Sequence, residues 1–243
     1  MNELATPSSL VRVPLTERAV VVSGSARWAR SPVAGIERMV LDATGDDTGR
    51  LTAFMRFAPG TRYPEHEHAG GEEILVLAGA LADERGLHRA GTYLRNGPGS
   101  RHAPAAPAGC TVFIRLRQFA PGDTGSLLVD TSRARWTRGR TAQASLMPLH
   151  AHGDELTRLV HWRAGTGGAP VRHAGGAEIL VLDGDFADEH GLYPPGTWMR
   201  LPRGCWHRPR AGRRGLLAWI KTGHLGHDAR PADAAERVAE AAA

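Results

Sequence analysis

The stretch AGGEEILVLAGALADERGL at residues 69–87 returns 105 positions later as AGGAEILVLDGDFADEHGL at 174–192. The match holds without a gap from Gly60–His102 to Gly165–His207, and 22 of these 43 positions are identical. Self-similarity on this scale marks an internal duplication. GTYLRNGPGSRH (91–102) answers GTWMRLPRGCWH (196–207), and upstream SARWAR (25–30) resembles RARWTR (133–138) at an offset of 108. Three residues have therefore been gained or lost between these markers, most simply in ATGDDTGR (43–50). A unit of about 100 residues is a domain, not a short stacking repeat. The expected organisation is an N-terminal extension (1–24), a first domain (25–121), a second domain (122–224) and a C-terminal tail (225–243). The joint falls at the Pro- and Gly-punctuated PGDTGS (121–126).

Within a unit the apolar residues come in short runs bounded by Gly or Pro: LTAFMRF (51–57), EILVLAG (73–79), TYLRN (92–96) and TVFIRLRQF (111–119). Strands at such close spacing predict an all-β sandwich or barrel. With 30 Gly and 16 Pro in 243 residues, long helical bundles are not expected. A strand is expected around VVVSG (20–24), and a helix only in PADAAERVAEAAA (231–243), where Pro231 suits a first helical position.

No apolar run approaches the ~18–20 residues that span a bilayer, and MNELATPSSLVRVPLTE lacks a basic segment followed by an apolar one. Cys110 and Cys205 cannot make a disulfide framework, and Cys110 reads as a buried small hydrophobe. The expectation is a cytoplasmic protein, monomeric or homodimeric, without membrane contact. The net charge of +5 does not announce a nucleic-acid surface. The 30 basic residues are scattered, Lys221 is the only lysine among them, and no aromatic-studded basic stripe accompanies them.

The chemistry lies in the first unit, which carries Gly60, His66, His68, Glu72 and Gly79, with His102 thirty residues after Glu72. Residues two apart on a strand face the same way, so His66 and His68 present two imidazoles to one side. Glu72, beyond the Ala69-Gly70-Gly71 turn, and His102, on a later strand, can close on the same point. Three imidazoles and one carboxylate form a borderline N/O set that suits one divalent ion per chain: Zn(II), Fe(II), Mn(II), Ni(II) or Cu(II). Arg56 and Tyr93 are candidates to act beside that ion, since such groups orient ligands and tune a metal. Arg95, which recurs as Arg200, reads as structural.

The second unit departs from this pattern: Val171 replaces His66 and Ala177 replaces Glu72, leaving His173 and His207. Two imidazoles rarely hold a divalent ion alone. Glu178, which answers Glu73, should face the opposite side by strand alternation. His161 and Cys205 are the residues that would complete an unusual second site; failing that, the barrel is kept for packing, its pocket filled by Val171, Trp206 or Trp198. His150 and His152 with Glu155 are expected outside the barrel, and His224 and His227 are expected to be solvated.

The constellation of the first unit resembles the first cupin motif without a mismatch, and the second motif approximately. Gly91, Pro98, Gly99 and His102 are present, but Pro98 is displaced by one and Ala106 stands where an Asn is usual. The closer likeness is to the ChrR-like cupin family, carried by PEHEHAGGEE (64–73), LADERGLHRAGTYLRNGPGSRHAP (81–104) and CTVFIRLRQF (110–119). It covers residues 25–224 and implies a bicupin: two tandem double-stranded β-helix (jelly-roll) barrels, the first holding a metal on His66, His68, Glu72 and His102. It also implies two functional directions, since some members regulate while relatives sharing the motif cleave carbon–carbon bonds with iron and oxygen. The expected function is a metal-dependent dioxygenase taking O2 and a small diketone or hydroxyketone at the first barrel. The alternative is a regulatory or stress-sensing zinc cupin without turnover. Residues 1–24 contain no Cys and no His, so the zinc-binding helical domain with which ChrR grips a sigma factor has no counterpart there.

Overall fold

The computed structural model describes residues 13–22, 24–44 and 49–226. The helix expected at 231–243 and His227 lie outside them. Apart from a single 3-10 turn at His224–Gly226, the secondary structure among the described residues is β.

Strand Leu51–Phe57 shows how one stretch of sequence serves two cores. Leu51, Ala53, Met55 and Phe57 point into the first barrel, where they pack with Ile74, Val112 and Ile114. Phe54, on the opposite face, joins Leu75, Tyr93 and Phe113 against Leu159, Leu180, Trp198 and Trp219 of the second unit. Side chains alternate between the faces of a strand, so a strand buried on both sides reads as a continuous apolar run. The second barrel has its own inner cluster, which includes Val160, Ile179, Val181, Leu201 and Ile220. The molecule is thus two antiparallel jelly rolls packed sheet against sheet.

In the first large sheet the strand order is Leu127–Asp130, Thr92–Asn96, Glu72–Asp83, Cys110–Leu116, Leu51–Phe57, Ile36–Ala43 and Ala29–Arg30. In the second it is Ala19–Val21, Trp198–Leu201, Ala177–Asp188, Arg210–Thr222, Glu155–Trp162, Ala144–His152 and Thr137–Arg138. A separate two-stranded ribbon completes each jelly roll: His66–His68 with Ser100–His102, and Val171–His173 with Cys205–His207.

One edge strand of each large sheet is exchanged. Ala19–Val21, which precedes the first unit, pairs with the second unit so that Ala19 lies opposite Arg200. Leu127–Asp130, which precedes the second unit, pairs with the first so that Leu127 lies opposite Arg95. The two exchanges are equivalent under the duplication, and the strand expected at 20–24 is found at Ala19–Val21.

Charged residues cross the seam between the sheets. Glu73 accepts hydrogen bonds from Tyr93 (2.8 Å), Arg95 (2.8 Å) and Lys221 (3.1 Å), and pairs with Arg115. Glu178, facing away from the second barrel's interior, accepts from Arg115 (3.0 Å) and His224 (3.0 Å). Burial alone would raise the Glu73 carboxyl, but Lys221, Arg115 and Arg95 hold it well below its ordinary value. Removing one member of such a buried set leaves a charge uncompensated, at a cost of about 3–5 kcal/mol. His224 corrects the expectation of a solvated side chain. It is buried because the 3-10 turn folds back: Leu225 donates to the carbonyl of Gly175 (3.0 Å), and its side chain occupies the space a Cβ on Gly176 would need. Burial pushes the His224 imidazole down to about 3, so it is neutral as it donates to Glu178.

Candidate metal centre

The two-stranded ribbon of the first barrel puts three imidazoles on one face. His66 and His68 are two residues apart on one strand, and His102 lies directly opposite His66 on the other. Glu72 arrives from the large sheet after a tight turn in which Gly71 donates to the carbonyl of His68 (3.0 Å). Gly71 has φ 75°, and the Phe119 ring sits where a Cβ would stand, so the turn needs glycine twice over.

The ligand atoms of His66, His68 and His102 lie within 4.8 Å of one another. The Nε2 atoms of His68 and His102 are 2.9 Å apart, and Glu72 Oε2 is 3.2 Å from the first and 3.4 Å from the second. His68, Glu72 and His102 are buried; His66 is half-buried and packs on Tyr63, ring centroids 4.6 Å apart. Burial, ahead of the pull of Glu72, lowers the His102 imidazole, which favours the neutral form a ligand needs. The cavity is about 30 Å³ and partly open, with walls of Met55, Phe57, Ile74, Val112 and Ile114. Three imidazole nitrogens and a carboxylate oxygen converging in an apolar cage fit a borderline divalent ion.

A chain of hydrogen bonds fixes the carboxylate from behind. Asn96, directly opposite Glu72 across the sheet, donates to Oε2 (2.7 Å). Arg85 donates to Asn96 Oδ1 (2.7 Å) and to Asp83 (2.8 Å), and Asp83 is held in turn by His88 (2.6 Å). Sequence reasoning missed these four residues. One signal was present: the second unit lacks both Glu72 and Asn96, having Ala177 and Leu201 in their places.

Arg56 and Tyr93 are corrections. Met55 and Phe57 face the barrel interior, so Arg56 between them faces out, 4.1 Å over the Trp28 ring and 3.5 Å from Glu37. Tyr93 is buried in the seam between barrels, its hydroxyl on Glu73. Neither lines the cavity. Arg95 and Arg200 are buried, bound to Asp123 (2.6 Å) and to Asp42 respectively, as structural residues. Cys110 is buried, and burial pushes its thiol up to about 12.

In the second barrel His173 and His207 face each other with Nε2 atoms 2.9 Å apart, repeating the His68–His102 contact. His161 is exposed, beside Trp136, and Cys205 Sγ turns to the Trp206 carbonyl (3.5 Å), so neither joins them. Val171 is 39% exposed, Trp206 58% exposed, and Trp198 lies in the seam, so none of the three fills the pocket. Packing there falls to Ala177, Ile179 and Leu201. His150, His152 and Glu155 go separate ways, to Asp123 (2.7 Å), the Pro121 carbonyl (3.3 Å) and Lys221 (2.8 Å).

A family model described as the ChrR Cupin-like domain matches residues 16–120 and again 124–226. No curated protein matches the chain. Among solved structures, a "putative dioxygenase" from Nostoc punctiforme superposes with a TM-score of 0.72 at 14% identity, over 86% of this chain and 84% of that one. Protein Ylba from E. coli gives 0.68 at 12% identity, over 88% and 94%. A deletion mutant of Bacillus subtilis oxalate decarboxylase gives 0.61 at 11% identity, over 84% and 76%. At these identities the likeness establishes the fold. No helix among the described residues is long and apolar enough to cross a membrane.

Proposed function

The chain belongs to the ChrR cupin-like family, and from that premise we propose that its first barrel is a mononuclear metal centre acting as a dioxygenase on a small diketone or hydroxyketone. The observation that carries the reading is the meeting of His66, His68, His102 and Glu72 inside apolar walls. A bound divalent ion would supply Lewis acidity and, as iron, one-electron chemistry with dioxygen. The protein's own part is to gather the ligands on one point, to fix Glu72 through Asn96, and to keep bulk water out with Met55, Phe57 and Ile114. Tyr63 is the only polar side chain besides the four ligands among the described residues lining the cavity, so no acid–base pair competes with chemistry centred on the ion. The half-buried His66, beside Tyr63, marks the side from which a substrate would enter. The structural likeness to a protein described as a "putative dioxygenase" and to an oxalate decarboxylase supports this direction.

The cavity volume favours a second reading. About 30 Å³ admits an ion with a water or two, at roughly 10–15 Å³ each, and leaves a diketone little room except on the open side beside His66. A regulatory zinc cupin, whose site is disturbed by oxidants and turns nothing over, needs no more room.

Metal analysis of protein purified without added metal or affinity nickel, followed by oxygen-uptake assays with a 1,3-dicarbonyl and a hydroxyacetophenone, separates the two. Iron close to one per chain with substrate-dependent oxygen consumption supports the enzyme. Zinc close to one, no uptake, and metal released by peroxide support the sensor. A chain that binds no divalent metal at the first barrel overturns both.

A further inference from the structure

At one inward position the second barrel carries a cation where the first has a small apolar residue. Under the duplication, Ala53 of the first barrel answers Arg158 of the second. Leu116, opposite Glu72, answers Thr222, opposite Ala177. Arg158 lies on the inward face of its strand with Val160, because Leu159 between them faces the seam. Its guanidinium is partly buried, and Nη1 reaches Thr222 Oγ1 at 3.5 Å. It makes no ion pair with any described carboxylate, whereas every buried cation in the seam has one.

Arg158, His173 and Thr222 border a cavity of about 660 Å³ that opens to solvent, with Arg172, Arg203 and the exposed Asp154 at its rim. Against the single carboxylate stand three guanidinium groups. His173 adds no charge at neutral pH, since burial, then His207, then Arg158 hold its imidazole down to about 4. A partly desolvated guanidinium without a counter-charge is unfavourable, and its planar fork matches a carboxylate or phosphate oxygen pair. The Thr222 hydroxyl and a His173 N–H can complete the donor set.

We infer that the second barrel is an oxyanion-binding site anchored by Arg158, which takes a small carboxylate or phosphate where the first barrel takes a cation. The site is independent of the metal reading of the first barrel.

The test is calorimetric titration of the full chain at constant ionic strength, with inorganic phosphate in one arm and malonate in the other. The expected result is saturable binding in at least one arm, weakened at least tenfold by Arg158→Gln and retained by Arg56→Gln, which removes an exposed guanidinium from the outer wall of the first barrel. Binding in the phosphate arm alone identifies a phosphoryl ligand, and in the malonate arm alone a carboxylate. Should Arg158→Gln fail to fold, the Arg158 Nε–H resonance of the wild type gives the answer, since it must shift along a saturable curve as the anion is added. No saturable binding of either anion, equal binding by Arg158→Gln, or shifts confined to Arg172 and Arg203 would overturn the proposal.

Discussion

The two barrels follow the same backbone path and share 22 of 43 aligned residues across their central stretch, yet at matched inward positions they carry different charge. The first has Glu72, with Asn96 behind it, against Leu116 and Ala53. The second has Ala177 and Leu201 against Thr222 and Arg158. Glu72 and the amide that fixes it are thus present together or absent together. A buried amide left without its acceptor costs about 1–3 kcal/mol, so losing Glu72 alone would leave Asn96 a liability. Ala177 and Leu201 remove both problems at once. The carboxylate and its support thus behave as one unit, and the barrel that lacks the unit carries Arg158 and Thr222 nearby instead.

The comparison can be broken most directly by emptying one barrel at a time. Mass-spectrometric metal analysis should find His102→Ala stripped of its ion and His207→Ala fully loaded. Loss of half the metal from His207→Ala would mean that both barrels are loaded. Converting the second barrel with Val171→His, Ala177→Glu, Leu201→Asn and Arg158→Ala should raise the content from about one ion towards two if these positions account for the difference. An unchanged content would show that the ribbon geometry also differs.

A finer test concerns the support alone. Asn96→Leu copies the second barrel at one position and should weaken metal affinity by about 10- to 100-fold in competition with a chelator, leaving the ligands in place. The smallest effect is on stability. His224 stands where the first unit has Gln118, and it faces Glu178, Arg115 and Lys221. Its imidazole is held at about 3 when folded, against 6.5 for the free group. Between those values the unfolded chain binds a proton that the folded chain refuses, so stability present above pH 6.5 is lost as the pH falls, by about 1.4 kcal/mol per unit at most. The melting temperature of His224→Gln should therefore drop less than that of the wild type between pH 7 and pH 4.5.

The duplication, the all-β class and the jelly-roll family were legible because they rest on local patterns: short apolar runs, glycine turns and a 105-residue echo. The four side chains that meet in the first barrel were legible too, since His66 and His68 share a strand face and the glycine turn fixes where Glu72 enters. Phase within a strand was not. Arg56 and Tyr93 sit on strands buried on both faces, and an apolar run of that kind does not say which face looks inward. Asn96 became visible only through the register that sets it opposite Glu72, 24 residues away in the chain. Arg158 drew no attention because its counterpart is an alanine, which carries no chemistry to be lost.

The exchanged edge strands bear on the order of events during synthesis. Ala19–Val21 leaves the ribosome well before its partner Trp198–Arg200, which follows some 180 residues later. The first barrel likewise waits for Leu127–Asp130, which is made only after its own last sheet strand, Cys110–Leu116. At about 5–20 residues per second, the leading strand spends on the order of ten seconds or more with its hydrogen-bonding edge unsatisfied. Such distant pairing makes for slow folding and an interval open to aggregation. A nascent chain halted before residue 198 is the form of this protein most in need of a chaperone.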